Sequence, residues 1–229
     1  MAWKQTSRII SGLTGNSELT QEQLAEVLGV SVGAVYKCES RSSLPELRLI
    51  MEMADFFDIS VDALLPHSSE ITDRFHSYIP SAWERFHRPL SRLAVDRALA
   101  YLDESAKRMA DSEVVLLHGD ANATNCLEDP QHPDSFRFID PNSAIGEKAY
   151  DLGMAIIIAQ DGFVDCPLEI GTARCRRLHE RTGVDAAVIW QWGVIQCVSI
   201  PLVYLGIDHP AAKALARIAD AWAAAEPFK

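Results

Sequence analysis

From Leu19 onward, apolar and polar positions recur with a helical period: Leu24, Val27 and Leu28 make one stripe, and Val32, Val35 and Tyr36 make a second. Thr20 stands ahead of the first stripe with Gln23 three residues on, so that each side chain can satisfy a backbone amide beside the other. Gly29 can take the left-handed conformation that stops this helix, and Ser31 caps the next. Two short helices joined by a tight turn result. Further on, Leu47, Ile50, Met51, Ala54 and Phe57 fall at helical intervals, and Ser60 caps a last turn ending in Leu64 and Leu65. Upstream, Ile10 and Leu13 belong to a first helix that Gly15, Asn16 and Ser17, all poor helix formers, end early. The pattern predicts five helices around one small core in residues 1–67.

A polar interval at His67, Ser68 and Ser69 marks a boundary, with a second domain over residues 68–229. Ser81 and Glu84 have capping-box spacing around Trp83, and Leu90, Leu93, Ala94, Arg97, Ala98, Tyr101 and Leu102 predict a long amphipathic helix over about 90–110. Val114–Leu117 then reads as a short strand opening into a polar turn, and Phe136–Asp140 as an alternating strand ending in a carboxylate. Between Ala186 and Ile207 no residue is charged, which is long enough to cross a bilayer. Gln191, Gln196, Ser199 and Pro201 interrupt that run and no basic cluster flanks it, so a helix buried in an α-rich domain is the simpler reading and the membrane the lesser one. The fold class expected is mainly α with a small β component.

Composition narrows the setting. With 48% hydrophobic and 23% charged residues the chain can bury a real core, and disorder is excluded. A formal charge of −11 argues against a general electrostatic grip on phosphate backbones or anionic membranes, so any nucleic-acid contact must be local. The five cysteines are scattered and lack C-x-x-C pairing, which suggests neither a disulfide framework nor a zinc site. No apolar signal segment stands at the N-terminus, and a cytoplasmic location without membrane attachment is expected.

Residues about 8–65, with LTQEQLA, then LGVS, then a Glu and a Pro, resemble the Xre/Cro-type helix-turn-helix family. The resemblance implies that the helix from Ser31 to about Ser40 enters the major groove of double-stranded DNA, with Tyr36, Lys37 and Arg41 as readers and Gln21 on a phosphate. A helical bundle that touches no DNA is the bland alternative. Five basic side chains stand against nine acidic ones in residues 1–67, so binding should be weak. Such domains usually carry an Arg in the first helix that pairs with the Glu found here at Glu39; Thr14 occupies its place, which leaves Glu39 without that partner.

In the second half, phosphoryl transfer to an alcohol needs a carboxylate near the attacking hydroxyl and oxygen ligands that hold Mg²⁺ on the nucleotide phosphates. Asp120 suits the first role, while Asn125 and Asp140 suit the second as metal and nucleotide ligands; His118 would brace the loop. Taken alone, His-Gly-Asp is a common surface turn. Together, His118-Gly119-Asp120, Asn125, Ile139-Asp140, Gly146-Glu147 and Tyr150-Asp151 resemble the aminoglycoside phosphotransferase family, particularly its streptomycin kinase branch, over residues about 75–225. That resemblance implies a kinase-like C-terminal lobe, ATP with Mg²⁺, a cationic aminoglycoside-type acceptor, and Asp151 as support for the catalytic loop. Asp161, Asp165, Glu169 and Asp208 follow at distances suited to a cationic acceptor, although a solvated face is the commoner use of such acids.

No lysine occurs between Lys37 and Lys107 and no glycine between Gly33 and Gly119, so neither the phosphate-holding lysine nor the glycine-rich lid of a kinase precedes the catalytic loop. The expectation is therefore a five-helix DNA-binding-like domain followed by a kinase-like C-terminal lobe lacking the N-terminal lobe, with impaired phosphoryl transfer. A DNA-binding transcriptional regulator with a non-catalytic kinase-like lobe is the alternative, and loss of both activities is a third reading.

Overall fold

The structure is a computed structural model that describes residues 3–17, 19–39, 47–64, 68–111, 114–132, 135–142, 144–157, 163 and 165–228. Five helices come first: α1 (Trp3–Asn16), α2 (Gln21–Leu28), α3 (Val32–Glu39), α4 (Leu47–Phe56) and the single turn α5 (Val61–Leu64). Both halves of the capping box form, with the Gln23 amide donating to Thr20 Oγ1 at 3.2 Å and the Thr20 amide donating to Gln23 Oε1 at 2.8 Å. Gly29 takes φ 64° and ends α2, and Ser31 Oγ accepts from the Ala34 amide at 3.2 Å to start α3. The first helix runs on through Gly15 to Asn16, where Ser17 closes it by donating to the Leu13 and Thr14 carbonyls. Ile10, Leu24, Val35, Ile50, Met53 and Leu64 fill the interior of this unit.

Among the described residues six further helices follow: α6 (Ser68–Arg85), α7 (Arg92–Asp111), α8 (Ala149–Ile156), α9 (Pro167–Thr182), α10 (Ala186–Leu205) and α11 (Ala212–Ala224). Ser81 does not begin a helix as its spacing suggested, because α6 starts at Ser68 and passes through Pro80 and Ser81. Pro80 removes one amide donor from the ladder, but buried Ile79, Ala82 and Trp83 give the flanking turns enough apolar contact to continue. Left-handed His87 and Arg88 turn the chain before Ser91 caps α7 through the Ala94 amide at 3.1 Å.

The charge-free helix α10 is the axis of this second unit. It is apolar on every side, packs against α6, α7, α8, α9 and α11, and is long and apolar enough to cross a membrane by length and composition alone. Here two thirds of its apolar window is buried by helices of the same chain. Two glycines allow its closest approaches: a Cβ on Gly153 would lie 2.6 Å from Trp192 Cβ, and one on Gly193 would lie 2.5 Å from Ile156 Cδ1. Glu147 ties the layers together by accepting from Ser105 Oγ at 2.6 Å, from Arg108 and from the Trp192 indole; Arg108 also donates to Gln191 at 2.8 Å. Gln191, a polar interruption in the sequence, is thus one member of a continuous network.

Among the described residues, four short strands make two antiparallel pairs. The first pair joins β1 (Val115–Leu117) to β4 (Ala144–Gly146), and the second is a hairpin of β2 (Cys126–Glu128) and β3 (Phe136–Phe138). Alternation along β4 sends neighbouring residues to different interiors. Ala144 belongs to the second unit's core, whereas Ile145, 3% exposed, packs with Ile10, Leu49, Ile50 and Leu64 of the first.

Candidate functional site

Two surfaces carry the residues singled out by the sequence. On the N-terminal unit, α3 turns Val35 and Cys38 inward and leaves Val32, Gly33, Tyr36 and Lys37 outward, Tyr36 being 58% exposed. Arg41 lies outside the described residues. Gln21 does not stand free for a phosphate, because its side-chain amide donates to Glu39 Oε2 at 2.5 Å. That bond corrects the expectation that Glu39 lacks a partner: Gln21 replaces the arginine, while Thr14 bonds back to the Ile10 carbonyl at 2.9 Å. Exposed Glu22 and Glu26 flank the face, and amide donors at the start of α2, followed by Thr20, hold the Glu22 carboxyl below its ordinary pKa. Among the described residues, the outward face of α3 therefore offers one cation, Lys37, amid fixed negative charge.

On the second unit, the segment after β1 folds around a glycine. Gly119 has φ 79°, and a Cβ there would lie 1.9 Å from the Asn142 carbonyl oxygen. Only glycine permits this approach, and it presses the loop after Asp140 against the loop that bears Asp120. The same two segments are pinned twice more. The Ile139 amide donates to the Asn125 carbonyl at 2.8 Å, and the His118 ring meets the Ile139 carbonyl at 3.0 Å. Because His118 Nδ1 accepts from the Asp120 amide at 3.3 Å, its proton sits on Nε2, where it is donated to Ile139. His118 is thus a brace between the two loops.

Asp120 sits half-buried at the centre. Asn122 Nδ2 donates to its Oδ1 and Asn125 Nδ2 to its Oδ2, each at 2.8 Å. Below it, the Asp151 carboxylate accepts from the His118 amide at 2.7 Å and the Gly119 amide at 2.9 Å, one oxygen to each. Burial pushes the Asp151 carboxyl above its ordinary pKa, against the opposing pull of those two amides. Tyr150 donates its buried hydroxyl towards the Gly119 carbonyl at 3.5 Å. Asp140 follows Ile139 in a left-handed conformation, φ 53°, and is exposed.

Asn125 spends its amide nitrogen on Asp120, so Oδ1 is the atom it can offer a cation. Asn125 Oδ1 and the Asp140 carboxylate are hard oxygen donors, the type Mg²⁺ takes when phosphates and water supply the remaining positions. Among the described residues no group of three or more His, Cys, Asp or Glu side chains could hold a metal by itself.

Beside this loop the β2–β3 hairpin exposes apolar side chains, with Phe136 63% and Phe138 57% accessible and Leu127 and Ile139 also open. Among the described residues of the first hundred there is no strand to cover it. Asp120 also borders a cleft of about 540 Å³ between the loop and helices α8, α10 and α11. Cys126 is half-buried in β2. Trp190 stacks on Trp222 at 4.3 Å, whereas Trp192 meets Tyr150 edge-on, so the two residues pack on different partners.

Residues 16–64 match the family model described as Helix-turn-helix. The N-terminal unit carries a helix-turn-helix DNA-binding domain. That match covers α2 to α5, with Glu39 and its partner Gln21 inside it. No curated protein and no solved structure matches the chain. Sequence reasoning missed the cleft, since its walls come from three helices separated along the chain, and it missed Gln21 as the partner of Glu39, although Gln is a donor of suitable reach.

Proposed function

We propose that the C-terminal unit is a kinase-like lobe with one wall, able to orient a magnesium nucleotide and an acceptor hydroxyl for slow phosphoryl transfer, carried by a DNA-binding unit. The observation that supports this reading is the triple pinning of the Asp140 loop onto the Asp120 loop at Gly119, His118 and Asn125. Asp120, held by two side-chain amides, would accept the proton of the acceptor hydroxyl as that oxygen bonds to the terminal phosphorus and the bridging oxygen leaves with the remaining phosphates. Asn125 Oδ1 and Asp140 would hold Mg²⁺, whose charge neutralises the phosphate oxygens. Asp151 and His118 keep the loop in shape and touch neither reactant.

The exposed hairpin supports the absence of a roof. Without a lysine on the phosphates or a lid that excludes water, several kcal/mol of transition-state stabilisation are missing, and each ~1.4 kcal/mol is tenfold in rate. Turnover should fall well below the ordinary kinase range of about 1–100 per second. Calorimetry of the full chain with ATP and Mg²⁺ tests the site: weak binding that Asp140→Ala reduces at least tenfold is expected, and identical heats for both proteins would sink the reading.

A second reading, a transcriptional regulator with a non-catalytic lobe, draws on the outward Tyr36 and Lys37 of α3. It places the protein with DNA in the cytoplasm. In a mobility-shift series it predicts a sequence-selective complex that weakens with salt and loses affinity in Lys37→Ala, with the salt slope reduced by about one.

A further inference from the structure

The cleft beside Asp120 says what kind of acceptor the site would take. Its walls are apolar: Met154 from α8 and Ile157 just after it, Ile200 and Pro201 from α10, and Leu215 from α11. Asp120 is the only carboxylate among the described residues that line it. Asp165, Glu169 and Asp208, offered by the sequence as partners for a cation, do not line it, and Asp161 lies outside the described residues. An aminoglycoside with several ammonium groups would leave water for a wall that could pair one charge, and unpaired charge is costly to bury.

Beyond Asp120, the polar features of the cleft include a backbone carbonyl and an imidazole. Pro201 has no amide hydrogen, so it cannot donate to the Cys197 carbonyl four residues earlier, and both residues line the cleft. That oxygen is left without its usual helical partner. His209 accepts from the Ala211 amide at Nδ1, 3.2 Å, which places its proton on Nε2 as a donor, and its ring rests 4.1 Å from that of Tyr204. A volume of about 540 Å³ suits a drug-sized molecule.

Resting on the phosphotransferase reading above, we infer that this cleft takes an alcohol with an apolar body and at most one positive charge, its hydroxyl at Asp120, rather than a polycationic aminoglycoside. Its body lies along Met154, Ile157, Ile200 and Leu215, and its other polar groups meet the Cys197 carbonyl and His209.

The test uses the full chain and two probes: n-octyl β-D-glucopyranoside below its micelle concentration, which joins hydroxyls to an apolar tail without charge, and kanamycin, a polycation. Calorimetry without nucleotide should show glucoside binding at least tenfold tighter than kanamycin binding. Ile200→Glu should weaken the glucoside at least tenfold, and the exposed His209→Ala should weaken it severalfold, so the assignment stays testable should the glutamate variant fail to fold. Equal or tighter kanamycin binding, or heat from neither probe, overturns the inference. Titrating ATP and Mg²⁺ into the same samples separates the two ideas: glucoside binding without nucleotide binding keeps the cleft assignment and sinks phosphoryl transfer, and the reverse keeps the nucleotide site and sinks the cleft.

Discussion

In the N-terminal unit the defining polar contacts join near neighbours: Thr20 to Gln23, Ser31 to Ala34, and at the longest Gln21 to Glu39, eighteen positions apart. In the C-terminal unit they span the chain. Asp151 reaches back 33 positions to His118, Arg108 crosses 83 to Gln191, and Ser91 and Arg97 each bond 129 positions ahead, to Asp220 and Glu226. One unit is assembled from local signals that a family pattern can hold; the other depends on pairings whose partners no local window contains. The first kind survives recombination as a recognisable block, whereas the second is visible only once folded.

The sharpest way to break this comparison is Glu147→Ala. It strips the acceptor from Arg108, Ser105 and the Trp192 indole at once, and should cost about 3 kcal/mol in urea denaturation followed by tryptophan fluorescence. A cost under about 0.5 kcal/mol, the range of ordinary surface changes, would show that long-range polar pairing is dispensable here. Next in size is Glu39→Ala, which removes a local contact and frees Gln21. Stability should fall by about 1 kcal/mol, while affinity for DNA in a mobility shift should rise, because a negative charge leaves and a phosphate donor is released.

The smallest effect concerns pH at the hairpin. Asp129 accepts from the Gln131 amide, from His132 and from Arg137, and these hold its carboxyl below the ordinary value. A depressed folded-state pKa stabilises the fold above the ordinary carboxylate range and ceases to do so as pH falls through the lowered value. NMR titration should therefore show the amides of Gln131, His132 and Arg137 losing protection at the acidic end, below the ordinary carboxylate titration; loss at near-neutral pH would contradict the assignment.

Much of the first unit was legible because caps, glycine stops and apolar stripes are short-range devices. Thr20, Gly29 and Ser31 do what their positions suggest. The helix start expected at Ser81 failed because burial of residues on both sides carried α6 through Pro80, a tertiary effect that overrides a local signal. In the loop, residue type and spacing pointed to Asp120, Asn125 and Asp140, and the structure brings their two segments together. What could not be read was the means: the approach of Gly119 to Asn142 is a fact about backbone geometry, and the cleft is made by side chains from α8, α10 and α11 that no period relates.

Ile145 has an outcome for anyone who would divide the protein. A cut between α5 and α6 separates the helices neatly on paper, yet it takes from the N-terminal piece a side chain seated among Ile10, Leu49 and Ile50, far past the scissors along the chain. The excised fragment would show a raw apolar hollow to water, and the remainder would bear an isoleucine with nowhere to hide. The seam between the two bodies runs along the middle residue of a three-residue strand, not across the chain.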